Sequence, residues 1–377
     1  MVAERVRQVE ISGIRRMFEA APPNSINLGL GEPDFEPPRE VVEAMCRSVQ
    51  NGGNHYGPTA GILPLRNHVA ARYVPWDRTT TSQNVIVTAS GSEALMSVAL
   101  AVYDTGDEVL IPNPGFVLYG PHAKLAGAVP VPYSLTEARK FQPDFDELER
   151  LVTPKTRAIV VNSPSNPTGG MFTPRTIDRL VAFADAHELV LVSDEVYDEI
   201  VYEGRFVSFW GKSDRVVVVN SFSKTFAVTG WRLGYLVAPP ALAVDLNKIH
   251  YHIMACPPTP AQVAIVAGFE AGRAATQKMV REFRARRDLV TRLLGEIPRL
   301  SLVRPVGAFY AFPSLDLGLS ATQIATGLLQ RGVITTPGDA FGSLGENHLR
   351  ISFATSREHL RTGLERFRTY AEELGAA

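Results

Sequence analysis

The chain has 377 residues, of which 45% are hydrophobic and 20% are charged, and its formal net charge is −1. This length is too great for one simple core, so it predicts two domains or a large domain with a smaller one attached. The near-neutral charge creates no overall field that would attract nucleic acid or an anionic membrane, and we expect neither as a partner.

The N-terminal segment and the two cysteines indicate the compartment. The segment MVAERVRQVEISGIRR carries charges throughout and lacks the apolar stretch of a signal peptide, so we expect none. No stretch of the sequence approaches about 18 uninterrupted apolar residues, the length that spans a membrane. Cys46 and Cys256 alone cannot form a disulfide framework or a metal site. These features predict a cytoplasmic protein.

Short runs rich in β-branched residues recur between residues 84 and 220. They predict strands at Asn84–Thr88, Glu108–Ile111, Ala158–Asn162, Leu189–Ser193 and Arg215–Asn220. Because these runs are apolar on both faces, they are typical of a buried parallel sheet. Helices are predicted between them, for example over Gly91–Tyr103 and Arg175–His187. The alternation predicts an α/β fold with a mostly parallel sheet flanked by helices.

The pattern changes after about Glu270, where a second unit is predicted. Its elements are a long helix to Leu294, short strands near Phe309–Phe312 and Leu349–Phe353, and a C-terminal helix from about Arg357. We therefore predict a large domain over residues 30–275 and a smaller α+β domain formed by residues 1–29 and 276–377. The arginine-rich run Arg281–Arg287 is interpreted as the solvent-exposed face of the long helix, and not as a patch that binds nucleic acid.

Several predicted strands end in polar residues followed by a turn. These ends lie at Ser90-Gly91, Asn162-Ser163-Pro164, Asp194 and Ser221 to Lys224. In open α/β sheets, ligands bind beyond the carboxyl ends of the strands. The sequence therefore predicts that one binding site lies at this edge of the sheet.

Lys224 follows an apolar strand within the segment NSFSKT. A lysine in this place either reaches bulk water or lies in a cavity, and the residues alone leave both alternatives open. A partly desolvated lysine amine is suited to forming an imine. The nearby serine hydroxyls and Arg232 are suited to binding a phosphate group.

Asp194 ends a predicted strand and is expected to be partly buried, so it needs a partner. A metal ion is one alternative, but no histidine completes a usual ligand set with Glu195 and Asp198, and we expect no metal. A cationic ring nitrogen is the other alternative. Asn166 forms a proline- and glycine-rich turn and also places a neutral donor at the same edge.

The segment Ser90-Gly91-Ser92-Glu93 opens a predicted helix. Ser90 is expected to cap this helix while Glu93 reaches back to it, as in a capping box. The same helix N-terminus is also suited to binding an anion through its free N–H groups. The two interpretations are compatible.

Four motifs then occur together, namely N-S-P-S-N-P-T-G, S-D-E-V-Y, S-F-S-K and G-W-R. In this order and spacing they resemble the class I/II aminotransferases of pyridoxal 5′-phosphate (PLP) fold type I, particularly the aspartate-aminotransferase-like branch. The resemblance covers nearly the whole chain, from Ser12-Gly13-Ile14-Arg15 to Arg350-Ile351-Ser352-Phe353. It implies a PLP enzyme that moves an amino group between an L-amino acid and a 2-oxo acid by a ping-pong mechanism.

The resemblance also implies roles around the cofactor ring. Lys224 would bind the cofactor as an imine and later move a proton. Asp194 would pair with the pyridinium nitrogen, and Asn166 and Tyr197 would hydrogen-bond the phenolic oxygen. Phe116 would stack on the ring.

Further roles concern the phosphate and the substrate. The phosphate would be bound by Gly91, Ser92, Ser221, Ser223 and Arg232. Arg350 would bind the substrate α-carboxylate, assisted by Gly31 and Asn166. Tyr56 resembles the tyrosine that reaches the phosphate of a neighbouring subunit, which implies a homodimer with shared active sites.

The donor specificity stays open at this point. Some aspartate-specific relatives carry a lysine where Ser92 stands, and Arg15 or Arg16 is an alternative reader of a distal carboxylate. Acidic, aromatic, alanine-like and broad specificities are all compatible with the motifs. A C–S β-lyase or synthase of the same fold is an alternative activity, because the same ring chemistry supports it. A non-catalytic PLP-binding regulator is a more distant alternative. Such regulators usually need a DNA-binding domain, and we expect no room for one before Gly29.

Overall fold

A computed structural model describes residues 2–9 and 21–376. Its strands are β1 (Ile26–Asn27), β2 (Val85–Thr88), β3 (Glu108–Asn113), β4 (Val129–Ser134), β5 (Thr156–Asn162), β6 (Val190–Asp194), β7 (Val216–Ser221), β8 (Gly234–Val237), β9 (Leu300–Ser301), β10 (Tyr310–Ala311), β11 (Ser314–Leu315), β12 (Val333–Ile334), β13 (Thr336–Pro337) and β14 (Leu349–Ser352). Its α-helices are α1 (Glu4–Arg7), α2 (Arg39–Gln50), α3 (Leu63–Tyr73), α4 (Gly91–Val102), α5 (Tyr119–Leu125), α6 (Phe145–Leu151), α7 (Pro174–Ala186), α8 (Phe222–Thr225), α9 (Pro240–Met254), α10 (Thr259–Ala271), α11 (Arg273–Gly295), α12 (Ala321–Gln330) and α13 (Arg357–Ala376).

The central sheet has the strand order β2-β8-β7-β6-β5-β3-β4. All neighbouring pairs are parallel except those of β8, which runs antiparallel to both β2 and β7. The predicted α/β fold with a mostly parallel sheet is therefore confirmed. Each of the five predicted strands corresponds to an observed one within one or two residues at its ends.

Two apolar cores cover the two faces of this sheet. Val216 and Val218 of β7 belong to the core under α2, α3, α7 and α10, whereas Val217 and Val219 belong to the core under α4, α5 and α9. The alternation follows from the pleat of a strand, in which successive side chains point to opposite faces. Each such valine contributes roughly 1.5–3 kcal/mol by leaving water, which fixes the sheet as the scaffold of the site.

A third apolar core joins the C-terminal elements to the beginning of the chain. Strands β10, β14 and β13 form a small antiparallel sheet, β9 pairs with β11, and β1 pairs in parallel with β12. Helices α11, α12 and α13 pack against these strands. The smaller α+β unit is thus present, while the domain limits at residues 30 and 275 stay a prediction. Among the described residues, no helix is both long and apolar enough to cross a membrane.

The arginine-rich run on α11 differs from its prediction. Arg286 and Arg287 are buried, being only 6% and 2% exposed. Arg286 forms an ion pair of 2.6 Å with Asp34, and Arg287 forms one of 2.7 Å with Glu203. The prediction that the whole run faces solvent is therefore wrong, because acidic side chains distant in sequence allow two of its cations to be buried.

Candidate active site

A cavity of about 270 Å³ lies at the carboxyl ends of β5, β6 and β7. Its wall contains Gly31, Ser90, Gly91, Ser92, Leu95, Phe116, Asn162, Asn166, Asp194, Val196, Tyr197, Ser221, Ser223, Lys224, Thr229, Arg232, Tyr310 and Arg350. All the predicted site residues are in this wall except Tyr56. The structure thus brings together polar groups that are far apart in the sequence, at the edge where parallel strands present them.

Lys224 lies in the short helix α8, directly after β7. Its Nζ donates a hydrogen bond of 2.7 Å to the carbonyl oxygen of Gly31, so the amine faces the cavity and not bulk water. Burial lowers the pKa of Lys224 to about 8, the nearby Arg350 and Arg232 also lower it, and Glu32 opposes them. The neutral, nucleophilic form of the amine is therefore more accessible near physiological pH than that of an ordinary lysine.

Asp194 is the last residue of β6 and is only 3% exposed. Its carboxylate accepts hydrogen bonds from the Tyr119 hydroxyl at 2.7 Å and from the Val196 N–H at 3.3 Å. Burial raises the pKa of Asp194 to about 6, an effect that these two hydrogen bonds oppose. A cation in the cavity would stabilise the charged carboxylate, which fits a protonated pyridine nitrogen.

A metal ion is a poorer fit to this carboxylate. Within residues 2–9 and 21–376, no group of three or more histidine, cysteine or acidic side chains is arranged to hold a metal ion. Glu195, the acidic neighbour of Asp194, points away into a separate cluster, where Ser193, Ser208 and the Phe209 N–H satisfy its carboxylate.

Hydrogen bonds fix the positions of Asn166 and Tyr197 in the cavity wall. Asn162 accepts a bond of 2.8 Å from the Asn166 N–H, which fixes the loop after β5. The Asn166 side-chain oxygen in turn accepts a bond of 3.0 Å from Arg350, which leaves its amide N–H₂ as a donor. The Tyr197 hydroxyl lies 2.9 Å from the Tyr310 hydroxyl.

The N-terminus of α4 forms one side of an anion site. Ser90 caps this helix by accepting a hydrogen bond from the Glu93 N–H, and the Glu93 carboxylate accepts one from the Ala89 N–H, one residue before the predicted partner. Gly91 and Ser92 occupy the first turn, where backbone N–H groups have no intrahelical acceptor. The helix dipole makes this end favourable for a phosphate group.

Hydroxyls and a guanidinium form the other side of the anion site. The Ser221 hydroxyl caps α8 by accepting from the Ser223 N–H at 3.1 Å, and it donates to the Ser223 hydroxyl at 2.9 Å. Arg232 has a left-handed backbone conformation with φ of 54° and donates to the Thr229 carbonyl at 2.8 Å. These donors converge on the cavity and suit a phosphate dianion.

Arg350 lies on β14, with Leu349 and Ile351 packed in the apolar core on the other face of the strand, as the alternation predicts. Its guanidinium is stacked between Tyr310 and Phe341, with the guanidinium carbon 4.6 and 4.8 Å from the two ring centroids. The Nε atom is buried, and no other described residue accepts a hydrogen bond from it. An unsatisfied buried donor of this kind suits a carboxylate ligand.

Two tyrosines of the site are not among the residues predicted from the sequence. Tyr119 hydrogen-bonds Asp194, and Tyr310 contacts both Tyr197 and Arg350. Tyr310 lies within the predicted strand Phe309–Phe312, and Tyr119 follows Phe116 by three residues, which places it near Phe116 at helical spacing. The strand position of Tyr310 and the spacing of Tyr119 from Phe116 could therefore have indicated both tyrosines, although neither belongs to a recognised motif.

Two other predictions lie apart from this cavity. Tyr56 is 90% exposed and lines a separate surface groove beside Cys256 and Thr259. Within one chain it therefore does not reach the anion site. Arg15 and Arg16 lie outside the described residues.

A nucleophilic lysine, a buried carboxylate and an anion cradle at the edge of such a sheet define a PLP enzyme. Residues 23–367 match the model of the family "Aminotransferase class I and II". The chain is 38% identical to the probable aspartate aminotransferase of Methanocaldococcus jannaschii, covering 97% of this chain and 98% of that protein. It is also 38% identical to aromatic-amino-acid aminotransferase 2 of Thermococcus litoralis, covering 99% of this chain and 98% of that protein.

Solved structures agree with these sequence comparisons. Aspartate aminotransferase from Thermus thermophilus, solved with maleate, superposes with a TM-score of 0.93 at 34% identity, covering 98% of this chain and 99% of that chain. An aromatic aminotransferase from Pyrococcus horikoshii superposes with a TM-score of 0.89 at 37% identity, covering 96% and 99%. The chain therefore belongs to the class I and II aminotransferase family. It is a PLP-dependent aminotransferase, and the predicted fold class, cofactor and activity are confirmed.

Proposed function

We propose that this enzyme transfers amino groups from several L-amino acids, including aspartate and aromatic amino acids, to a 2-oxo acid by a ping-pong mechanism. The observation that carries the proposal is the buried Arg350 guanidinium, which hydrogen-bonds Asn166 and lies in the wall of the same cavity as Lys224. An α-carboxylate bound there would place the substrate amino group on the side of the lysine. Relatives named for aspartate and for aromatic amino acids are equally similar, which supports broad specificity.

Each of these residues of the cavity would have a different role toward the cofactor. When bound, PLP supplies an electron sink for the bond that breaks next to the amino group. Asp194 would keep the ring nitrogen protonated, and Asn166 and Tyr197 would donate hydrogen bonds to the phenolic oxygen. Phe116 would stack on the ring, and Lys224 would first bind the cofactor and then move a proton at the substrate α-carbon.

Different residues of the cavity would bind the phosphate and the substrate carboxylate. Gly91, Ser92, Ser221, Ser223 and Arg232 would hold the phosphate. Arg350 binds the α-carboxylate through two parallel hydrogen bonds, assisted by Gly31 and Asn166. Both assignments use residues that line the cavity wall.

The charges of the cavity wall bear on donor specificity. Among its described residues, the cations are Lys224, Arg232 and Arg350, and each already has a role. None of these three is therefore free to bind a distal carboxylate. Ser92 has no charge with which to do so. Arg15 and Arg16, the other predicted readers of a distal carboxylate, lie outside the described residues, so the proposed broad donor range rests on the equal similarity to relatives named for the two donor classes.

A panel of amino donors with 2-oxoglutarate as acceptor tests the proposal. We expect glutamate formation from aspartate and from at least one aromatic amino acid, and conversion of the cofactor to its amino form when a donor is added alone. Lys224→Ala is the control and should form no glutamate. Release of ammonia without glutamate formation would contradict the proposal and favour a lyase.

We also propose a cytoplasmic homodimer in which Tyr56 reaches the phosphate of the neighbouring subunit. Tyr56 is exposed in the single chain, and Tyr251 and Ile253 are exposed large hydrophobic residues that a partner would cover. Cys46 and Cys256 are both free, which fits a reducing compartment.

A further inference from the structure

Tyr310 contacts both Tyr197, which is proposed to bind the cofactor ring, and Arg350, which is proposed to bind the substrate carboxylate. Its hydroxyl lies 2.9 Å from the hydroxyl of Tyr197, and its ring centroid lies 4.6 Å from the guanidinium carbon of Arg350. The side chain is only 1% exposed and forms part of the cavity wall. A Cβ atom added to Gly31 would lie 2.1 Å from the Tyr310 hydroxyl, so the glycine leaves just enough room for this oxygen.

The two hydroxyls share one hydrogen bond, in which one tyrosine donates and the other accepts. The charged groups around them are Arg350 from β14, Asp194 from β6 and Lys224 from α8. Burial raises the pKa of both tyrosines. The Arg350 cation opposes this rise in pKa for both tyrosines, but it lies directly over the Tyr310 ring, whereas for Tyr197 the neighbouring Tyr310 and the Asp194 carboxylate add to the rise. Tyr310 is therefore the better donor, and the Tyr197 oxygen accepts.

A tyrosine oxygen that already accepts a hydrogen bond still has its own proton to donate. We propose that Tyr310 is a positioning residue, which donates to Tyr197 and so directs the Tyr197 hydrogen into the cavity, toward the phenolic oxygen of the cofactor. The same residue supports Arg350, so one side chain serves both the carboxylate end and the ring end of the site. This inference rests on the proposed role of Tyr197.

The test is a pH titration of the PLP-bound enzyme, in which the midpoint of the change in its visible absorption is compared between the wild type and Tyr310→Phe. This change removes the hydroxyl but keeps the ring against Arg350. A hydrogen bond that draws negative charge from the phenolic oxygen lowers the affinity of the neighbouring Lys224 nitrogen for its proton. With Tyr197 a weaker donor, we expect the midpoint to rise by about 0.3 to 1 pH unit, which corresponds to one ordinary hydrogen bond.

Three further variants make the result specific. Tyr202→Phe is the matched control, because Tyr202 is a buried tyrosine of the same core whose hydroxyl donates to the Ala308 carbonyl, outside the cavity wall. Its midpoint should not move. Tyr197→Phe should raise the midpoint at least as much as Tyr310→Phe, and the double variant should show no additional shift.

The outcomes separate this inference from the proposed function. If Tyr197→Phe raises the midpoint and Tyr310→Phe does not, the role of Tyr310 is overturned and that of Tyr197 stands. An equal shift from Tyr310→Phe with and without Tyr197 also overturns the inference, because the effect then does not pass through Tyr197. If Tyr197→Phe leaves the midpoint unchanged, the proposed role of Tyr197 fails, and the inference fails with it.

Discussion

Burial has different consequences for the two cations that face the substrate. It lowers the pKa of Lys224 to about 8, so this amine exchanges its proton within the physiological range. It also lowers the pKa of Arg350, but a guanidinium starts from so high a value that it stays charged. One buried cation is thus a nucleophile and proton carrier, while the other is a permanent anchor for a carboxylate.

Arg350→Lys tests the anchor. A lysine keeps the charge but loses the planar fork that binds a carboxylate through two hydrogen bonds. We expect Arg350→Lys to lose roughly 2–4 kcal/mol of transition-state stabilisation, which would be measured as a lower kcat/KM toward every α-amino acid. The affinity for PLP should change far less than kcat/KM, because the contacts of Arg350 are with Asn166, Gly29 and the stacked rings and not with the residues of the anion site.

The matched control is Arg357→Lys, which changes an exposed arginine paired with Glu282 on the surface. Its kinetics should equal those of the wild type. Amines without an α-carboxylate should be poor substrates of the wild type and should respond little to Arg350→Lys. Wild-type kcat/KM toward amino acids in Arg350→Lys would mean that the carboxylate binds elsewhere.

At the scale of elements, strand β8 holds the anion site together. It is antiparallel to its neighbours, which places Gly234 opposite both Thr88 of β2 and Ser221 of β7. A Cβ atom at Gly234 would lie 2.6 Å from the Gly91 nitrogen and 2.8 Å from the Asn220 carbonyl oxygen. Only glycine therefore allows the first turn of α4 and the start of α8 to approach each other closely enough to share one phosphate.

Gly234→Ala should accordingly weaken cofactor binding. Its methyl group meets backbone atoms that cannot rotate away, and such overpacking typically costs 1–3 kcal/mol. We expect the Kd for PLP to increase about tenfold, measured by fluorescence titration of the apoenzyme, because tenfold corresponds to about 1.4 kcal/mol. Gly230→Ala is the control, since no atom beyond its two chain neighbours lies within 4 Å of its Cβ position among the described residues. Equal PLP affinity in the two variants would contradict this account.

The sequence predicts the elements that have a strong local pattern and misses those defined by their neighbours. The five continuous apolar runs correspond to strands of the central sheet. The sequence pattern does not predict strand β4, because prolines interrupt it at Pro130 and Pro132, which an edge strand tolerates. Strand β8 is short and begins with a glycine, so no periodicity marks it. Motifs identify Lys224 and Asp194, but only the fold shows what surrounds them.

At the scale of the whole molecule, the segment that follows β1 connects the two sides of the cavity. The carbonyl oxygen of Gly29 accepts from Arg350, and that of Gly31 accepts from Lys224. Further along, Asp34 pairs with Arg286 of α11. Since these contacts reach both the central sheet and the C-terminal core, a shift of this segment would move the groups that bind the cofactor and the substrate together. None of these tertiary contacts can be derived from local sequence patterns.

The shared active site is a property of the assembly and requires two different chains to test it. A Tyr56→Ala chain keeps Lys224, and a Lys224→Ala chain keeps Tyr56. In a heterodimer of the two, one of the two sites would have both residues intact if Tyr56 crosses to the neighbouring subunit. We expect purified heterodimers to recover about half of the wild-type activity per dimer, whereas both homodimers should be impaired.

As a control, a Tyr56→Ala chain paired with a chain carrying both changes has no intact site and should show no recovery. Purified heterodimers no more active than the Tyr56→Ala homodimer would mean that each subunit contains its own complete site.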